Sequence, residues 1–326
     1  MSPSSRSPDR AASRGVPSLE GRFEAILRLV LVSLIVLAGI VGAVELLSSS
    51  GRSGRSQDAG SSAGGTPIDT SLFAPGSCIS FPPAQGNRHL TVFLDAGHGG
   101  VDPGAVGKTE SGTTVYEKNL TLAVELDATA LLRADGYRVV DSRTSGGPVA
   151  IARAGDISGG IFTTAGAHNE VAARDVCADM AKADVLIGIY FDAGASPRDA
   201  GSLTAYDAAR PFAAENERLA TLLQATVLSA MNAQGWQIPD AGVNLDIYEG
   251  GPAFTGAAAS YDHLLLLGPA KAGFFSTPSE MPGAVIEPLF ATDPFEASIA
   301  DSGQGQEVIA GGIAKTVERF FGPGAG

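Results

Sequence analysis

Cysteine, histidine and basic residues are scarce in this chain of 326 residues, and each shortage narrows its chemistry. Two cysteines, Cys78 and Cys177, allow one disulfide at most. Both follow the apolar segment described below, on the side expected to lie outside the cell, where an even pair suggests a bond. The other reading is two buried thiols acting as small apolar side chains. Lys and Arg number 22 against 35 Asp and Glu. That deficit of positive charge argues against a nucleic-acid partner and against non-specific adhesion to anionic polymers. Only four histidines occur, so candidate imidazole ligands are few: His98 leads, His168 is a more distant one, and His89 and His263 match no motif. No internal repeat is present. The composition, 44% hydrophobic, nonetheless supplies ample core for a folded domain.

Charge is missing altogether from Leu29 to Val44, LVLVSLIVLAGIVGAV, which follows five arginines at Arg6, Arg10, Arg14, Arg22 and Arg28. Counted over residues 25–47, the apolar run reaches the ~20 residues that span a bilayer, with Arg28 placed to snorkel at one end. The preceding arginines put residues 1–24 in the cytoplasm and everything after residue 47 outside, a single-pass cell-membrane protein with an extracytoplasmic functional part. A cleaved signal peptide is the rival reading, with Val41-Gly42-Ala43 as a small-residue cleavage site. Residues 48–75 begin SSSGRSGRSQDAGSSAGG, too rich in Ser and Gly to bury a core, and read as a flexible linker. Past residue 47, 17 Lys and Arg stand against 31 Asp and Glu, a formal charge of −14.

Residues 76–326 read as one α/β domain, a mixed and largely parallel twisted sheet flanked by helices. The stretch that organises it is Leu90 to Gly104, LTVFLDAGHGGVDPG. An apolar β-type run ends at Asp95, and glycines on both sides of His98 let the chain turn while leaving the imidazole open to a metal. A helix from Leu120 to Gly136 follows, with Leu120, Val124 and Leu131 at helical spacing and Glu117 at its start. A strand at Tyr137–Val140 completes a β-α-β unit. Further along, a helix is expected at His168–Ala183, a buried strand at Asp184–Phe191, an edge strand at Gly201–Tyr206 and a helix at Glu215–Met231. A strand at Gly283–Glu287 and a last helix at Gln306–Phe321 close the domain. His98, Glu117 and Glu287 then all stand at one end of the sheet, where sites of open α/β sheets gather.

The motifs DAGHGGVDPGAVG at 95–107, YEKNL at 116–120, DSRT at 141–144, ADVLIGIYFDA at 183–193 and AVIEPLFATDPFE at 284–296 occur in an order that resembles the zinc-dependent N-acetylmuramoyl-L-alanine amidases of the amidase-3 family. The resemblance covers most of residues 90–321. It implies a cell-wall hydrolase acting on peptidoglycan, with His98 and Glu117 as Zn2+ ligands and Glu287 as the general base for a metal-bound water. The bond cut would join the lactyl group of N-acetylmuramic acid to L-alanine of the stem peptide. At the end of the central strand, where the family carries a third histidine ligand, this chain has Tyr190 in Gly188-Ile189-Tyr190-Phe191-Asp192-Ala193. A phenol with a pKa of about 10 is a poor substitute. Asp192, two residues on and on the same strand face, is the better one. The alternative is an amidase fold that has lost its chemistry and serves as a peptidoglycan-binding or regulatory module.

Overall fold

The computed structural model describes residues 64–249 and 261–322, all within one unit of the chain. The expected cytoplasmic segment and the membrane-spanning run at 25–47 lie outside these residues, and none of the described helices is long and apolar enough to cross a membrane.

Alternation in the central strands builds two cores at once. In β3 (Thr91–Ala96) Val92 and Leu94 face one side and Phe93 the other. In β9 (Val185–Ile189) Val185, Ile187 and Ile189 oppose Leu186, and in β12 (Gly283–Glu287) Ala284 and Ile286 oppose Val285. Strands buried on both faces have to be apolar throughout, which is why these runs carry no clean polar alternation. The helices α1 (Glu117–Ala134), α3 (Ala213–Asn232) and α5 (Gly303–Phe321) pack together on the first side, and α2 (Thr164–Met180) covers the second.

The remaining large-sheet strands are β1 (Thr66–Pro67), β2 (Ser77–Phe81), β6 (Arg138–Arg143), β10 (Ser202–Tyr206) and β11 (Asp240–Leu245). The eight run in the order β1-β2-β6-β3-β9-β12-β10-β11. The block β6-β3-β9-β12 is parallel, β2 joins it antiparallel at one side, and the mutually parallel pair β10-β11 joins it antiparallel at the other. Two small hairpins, β4-β5 (Val106–Lys108, Thr114–Tyr116) and β7-β8 (Ile157–Ser158, Ile161–Phe162), lie outside the sheet.

Several boundaries differ from expectation. The sheet starts at Thr66, inside the stretch read as linker, because Thr66 and Pro67 pair with Ser80 and Ile79. Leu131 is exposed, and the buried stripe of α1 runs instead through Leu120, Val124, Ala128 and Leu132. β10 is an interior strand, since β11 covers its outer side. The last helix packs Ile309, Ile313, Val317 and Phe320 inward as its spacing predicts. A short helix α4 (Pro294–Ala300) precedes it, capped by Asp293, whose Oδ1 accepts from Glu296 N at 2.8 Å.

Cys78 in β2 and Cys177 in α2 form a disulfide with Cα atoms 5.7 Å apart, spanning 99 residues of sequence. A loop that long removes on the order of 4–5 kcal/mol of unfolded-chain entropy in the chain-entropy account.

Candidate active site

β3 ends in a backbone turn that leans on glycine. His98 is itself in the left-handed region at φ 63°, followed by Gly99 at 126° and Gly100 at 59°. The turn swings the imidazole toward the N-terminus of α1. Gly104, at φ 66°, lets the two halves close: a Cβ there would stand 2.6 Å from Glu117 Oε2 and 2.7 Å from His98 Cδ2.

The imidazole is gripped at both nitrogens. Its Nδ1 lies 2.8 Å from Asp102 Oδ2, and its Nε2 lies 3.0 Å from Glu117 Oε1. Glu117 is the first residue of α1 and is fixed by two backbone donors: Ala105 N gives to Oε2 at 2.7 Å and Phe191 N to Oε1 at 2.9 Å. Burial disfavours a charged His98, yet the carboxylates of Glu117 and Asp102 outweigh it and push the imidazole up to about 10. The field at this point therefore favours a cation, proton or metal. A histidine whose far nitrogen is held by a carboxylate is also the usual preparation of a metal ligand.

Beneath the turn, two buried arginines lock the backbone. Arg143, from the DSRT motif, donates to Ala96 O at 3.1 Å, Gly97 O at 3.0 Å and Lys118 O at 2.5 Å, tying β3 to α1. Arg174 of α2 donates to Asp95 Oδ1 at 2.5 Å, Ala96 O at 2.7 Å and His98 O at 2.6 Å, and pairs with Glu170 Oε1 at 3.1 Å. Nothing in its local sequence marks Arg174. Asp102 carries a fainter signal, four residues after the histidine within the glycine-rich motif.

His98, Glu117, Tyr190, Asp192, Glu249 and Glu287 all line one cleft of about 460 Å³. The sheet therefore brings together every residue expected at the site and adds Glu249, which the sequence does not announce. Burial, then the charges of Asp192, Glu117 and Glu249, push Glu287 well above the usual carboxylate range. Asp192 is also raised, chiefly by burial, and its Oδ1 accepts from Ala193 N at 2.6 Å.

Tyr190 is turned to another task. Its hydroxyl donates to Asp95 Oδ2 at 3.1 Å, and its ring sits edge-on to His98 with centroids 5.5 Å apart. Burial, then the neighbouring Asp95 charge, push the phenol well above its ordinary 10. Against a zinc ion the pocket thus offers two donors in ligand disposition, His98 and Glu117. Among the described residues no third imidazole, thiol or carboxylate gathers with that pair inside 4.8 Å.

A mixed α/β sheet that delivers a carboxylate-anchored histidine against a glutamate, in an acidic cleft at the ends of its parallel strands, has the form of a hydrolase site. The chain belongs to the N-acetylmuramoyl-L-alanine amidase family Amidase_3, whose profile matches residues 92–319. It is 31% identical over 114 residues to the probable N-acetylmuramoyl-L-alanine amidase AmiB of Haemophilus influenzae, a match covering 35% of this chain and 21% of that protein. The matched part thus spans about a fifth of that relative's length. It is also 25% identical over 232 residues to the uncharacterised protein YqiI of Bacillus subtilis, covering 71% and 84% of the two chains. The same fold appears in the CwlD amidase of Clostridioides difficile, solved in complex with the GerS lipoprotein, at a TM-score of 0.52 and 19% identity over 71% of this chain and 98% of that one.

Proposed function

We propose that this chain is a membrane-anchored cell-wall hydrolase that cleaves the amide between N-acetylmuramic acid and L-alanine of peptidoglycan. The observation that carries the reading is His98, held at Nδ1 by Asp102 and facing Glu117 in a cleft that also contains Glu287, within a member of the amidase family. A zinc ion in this cleft would be held by His98 and Glu117, and Asp192, on the cleft wall, would have to move toward that pair to serve as a third ligand. Bound there, the ion would polarise the amide carbonyl and lower the pKa of a bound water.

The protein's own groups do the rest. Arg174 and Arg143 fix the turn carrying His98 from below, so the imidazole does not reorient when substrate enters. Glu287 would take the proton of the attacking water and return it to the departing amine, and a carboxyl raised by burial suits holding that proton between the two steps. Glu249 and Asp192 add negative charge to the cleft wall.

One observation favours a second reading. The engagement of Tyr190 with Asp95 removes the family's third ligand position and supports a binding or regulatory module without hydrolysis. Digestion of purified peptidoglycan separates the two. The amidase reading expects stem peptides with free L-alanine N-termini, reduced about 10²–10⁴-fold in Glu287→Gln. Co-sedimentation with the wall polymer and no released peptide from the wild type would establish the second reading instead.

A further inference from the structure

The reversal of β10 and β11 puts a second set of strand ends on the sheet. Leu203 pairs with Glu287 and Ala205 with Val285, so β10 runs away from the amidase cleft and ends where β12 begins. At about 3.3 Å per residue, Asp207 stands roughly 13 Å along the strand from the level of Glu287. Tyr206 pairs with Leu245, so the next residues, Asp207 and Asp246, leave two adjacent strands side by side. His263 meets them there: its Nδ1 is 2.7 Å from Asp207 Oδ2 and 3.2 Å from Asp246 Oδ2. One potential ligand atom from each of the three lies within 4.8 Å of the others.

The carboxylates are held but not satisfied. Ala209 N gives to Asp207 Oδ1 at 2.8 Å, and Leu264 N gives to Asp246 Oδ2 at 2.9 Å. Asp207 Oδ2 and Asp246 Oδ1 have no hydrogen-bond partner, although the two side chains are 0% and 1% exposed. A single proton on His263 Nδ1 cannot serve both aspartates, and its hydrogen-bond geometry favours Asp246. The guanidinium beside them, Arg210, gives its NH1 protons to Leu267 O and Gly268 O. It is also shared with Asp175, whose two oxygens are buried without partners. Negative charge exceeds positive here, and the excess is enclosed.

We propose that Asp207, Asp246 and His263 bind a divalent transition-metal ion, with zinc as its probe, at a site separate from the amidase cleft. Two carboxylate oxygens and an imidazole nitrogen suit zinc better than calcium, which prefers six to eight oxygens. Ligand atoms around a tetrahedral zinc stand about 3.3 Å apart, and His263 Nδ1 already stands 2.7 Å and 3.2 Å from an oxygen of each aspartate. The ion clamps two segments to the outer edge of the sheet: the single 3-10 turn at Asp246–Tyr248, which precedes Glu249 on the cleft wall, and the buried run Leu264–Leu267.

The test uses full-length His98→Ala protein, in which the cleft has lost its imidazole, stripped with chelator and then titrated with zinc. The site predicts one bound zinc per chain and a Tm raised by about 5–10 °C with zinc a hundredfold above its Kd. On the same background Asp207→Asn with Asp246→Asn loses both the bound metal and the shift. His263→Gln gives the same comparison if that double variant does not fold. Absence of bound zinc and of any shift in the His98→Ala protein overturns the proposal, as does a shift that survives unchanged in the variants. Peptidoglycan digestion is not read in this experiment, so its outcome is independent of the amidase reading.

Discussion

Tyr190 decides more about this protein than any other single side chain. By the motif resemblance it takes the place of the family's third histidine, just past the end of the central strand, yet its hydroxyl donates to Asp95. The ring fills the space beside Gly97, where any Cβ would collide with it. Histidine is smaller, and Asp95 keeps Arg174 as its partner without the phenol. Tyr190→His is therefore expected to fold and to raise zinc affinity in the cleft by about tenfold or more, at least the scale on which a metal site's outer partners act. Isothermal titration with zinc, on a background lacking His263, reads this directly. Equal affinity in the two proteins would show that the ring at 190 does not limit the site. His98, Glu117 and Glu287 were legible in the sequence because each stands next to a strand end or a helix start. Tyr190 was legible as a departure, but its bond to Asp95 was not, because the two residues lie 95 positions apart.

At the scale of elements, α1 and β6 enclose two carboxyls that no pattern of apolar spacing announces. Glu125 accepts from Ala96 N and Ser142 N, both at 3.1 Å, and Asp141 accepts from Thr129 Oγ1 at 2.6 Å. Burial pushes Asp141 up to about 8 from an ordinary 3.8. Between those values the folded chain keeps a proton that the unfolded chain releases, so this group's contribution is fullest below about pH 4 and is lost as pH rises through 8. Asp141→Asn keeps an oxygen for Thr129 and removes the titration. Its Tm relative to wild type is expected to improve by about 5 °C or more between pH 4.5 and pH 8. A difference in Tm that is flat with pH would refute the assignment. The central strands and the main helices could be read from their residues because burial on both faces imposes continuous apolar runs. β1, β2 and α4 could not. β2 is held by β6, remote in sequence, β1 is a two-residue strand held only by β2, and α4 rests on the Asp293 cap more than on an apolar stripe.

Seen whole, the chain joins a folded unit of amidase type to an N-terminal stretch with a bilayer-length apolar run. The anchor proposal expects the full chain to sediment with membranes and to resist alkaline extraction. A chain beginning at residue 48 is expected in the soluble fraction. Finding the full-length protein soluble, with its N-terminus starting beyond residue 43, would identify a cleaved leader instead.

The position of β12 also governs when this sheet can form. Among the described residues it is the last strand, yet it lies between β9 and β10, and it carries Glu287. Until residue 287 has been added, β9 has a bare edge, and β10 with β11 has no strand joining it to the rest of the sheet. A chain that emerges from its N-terminus therefore cannot complete the cleft piece by piece. The cleft acquires Glu287 only once nearly all of the chain is available, so the order of the strands ties the site to completion of the fold.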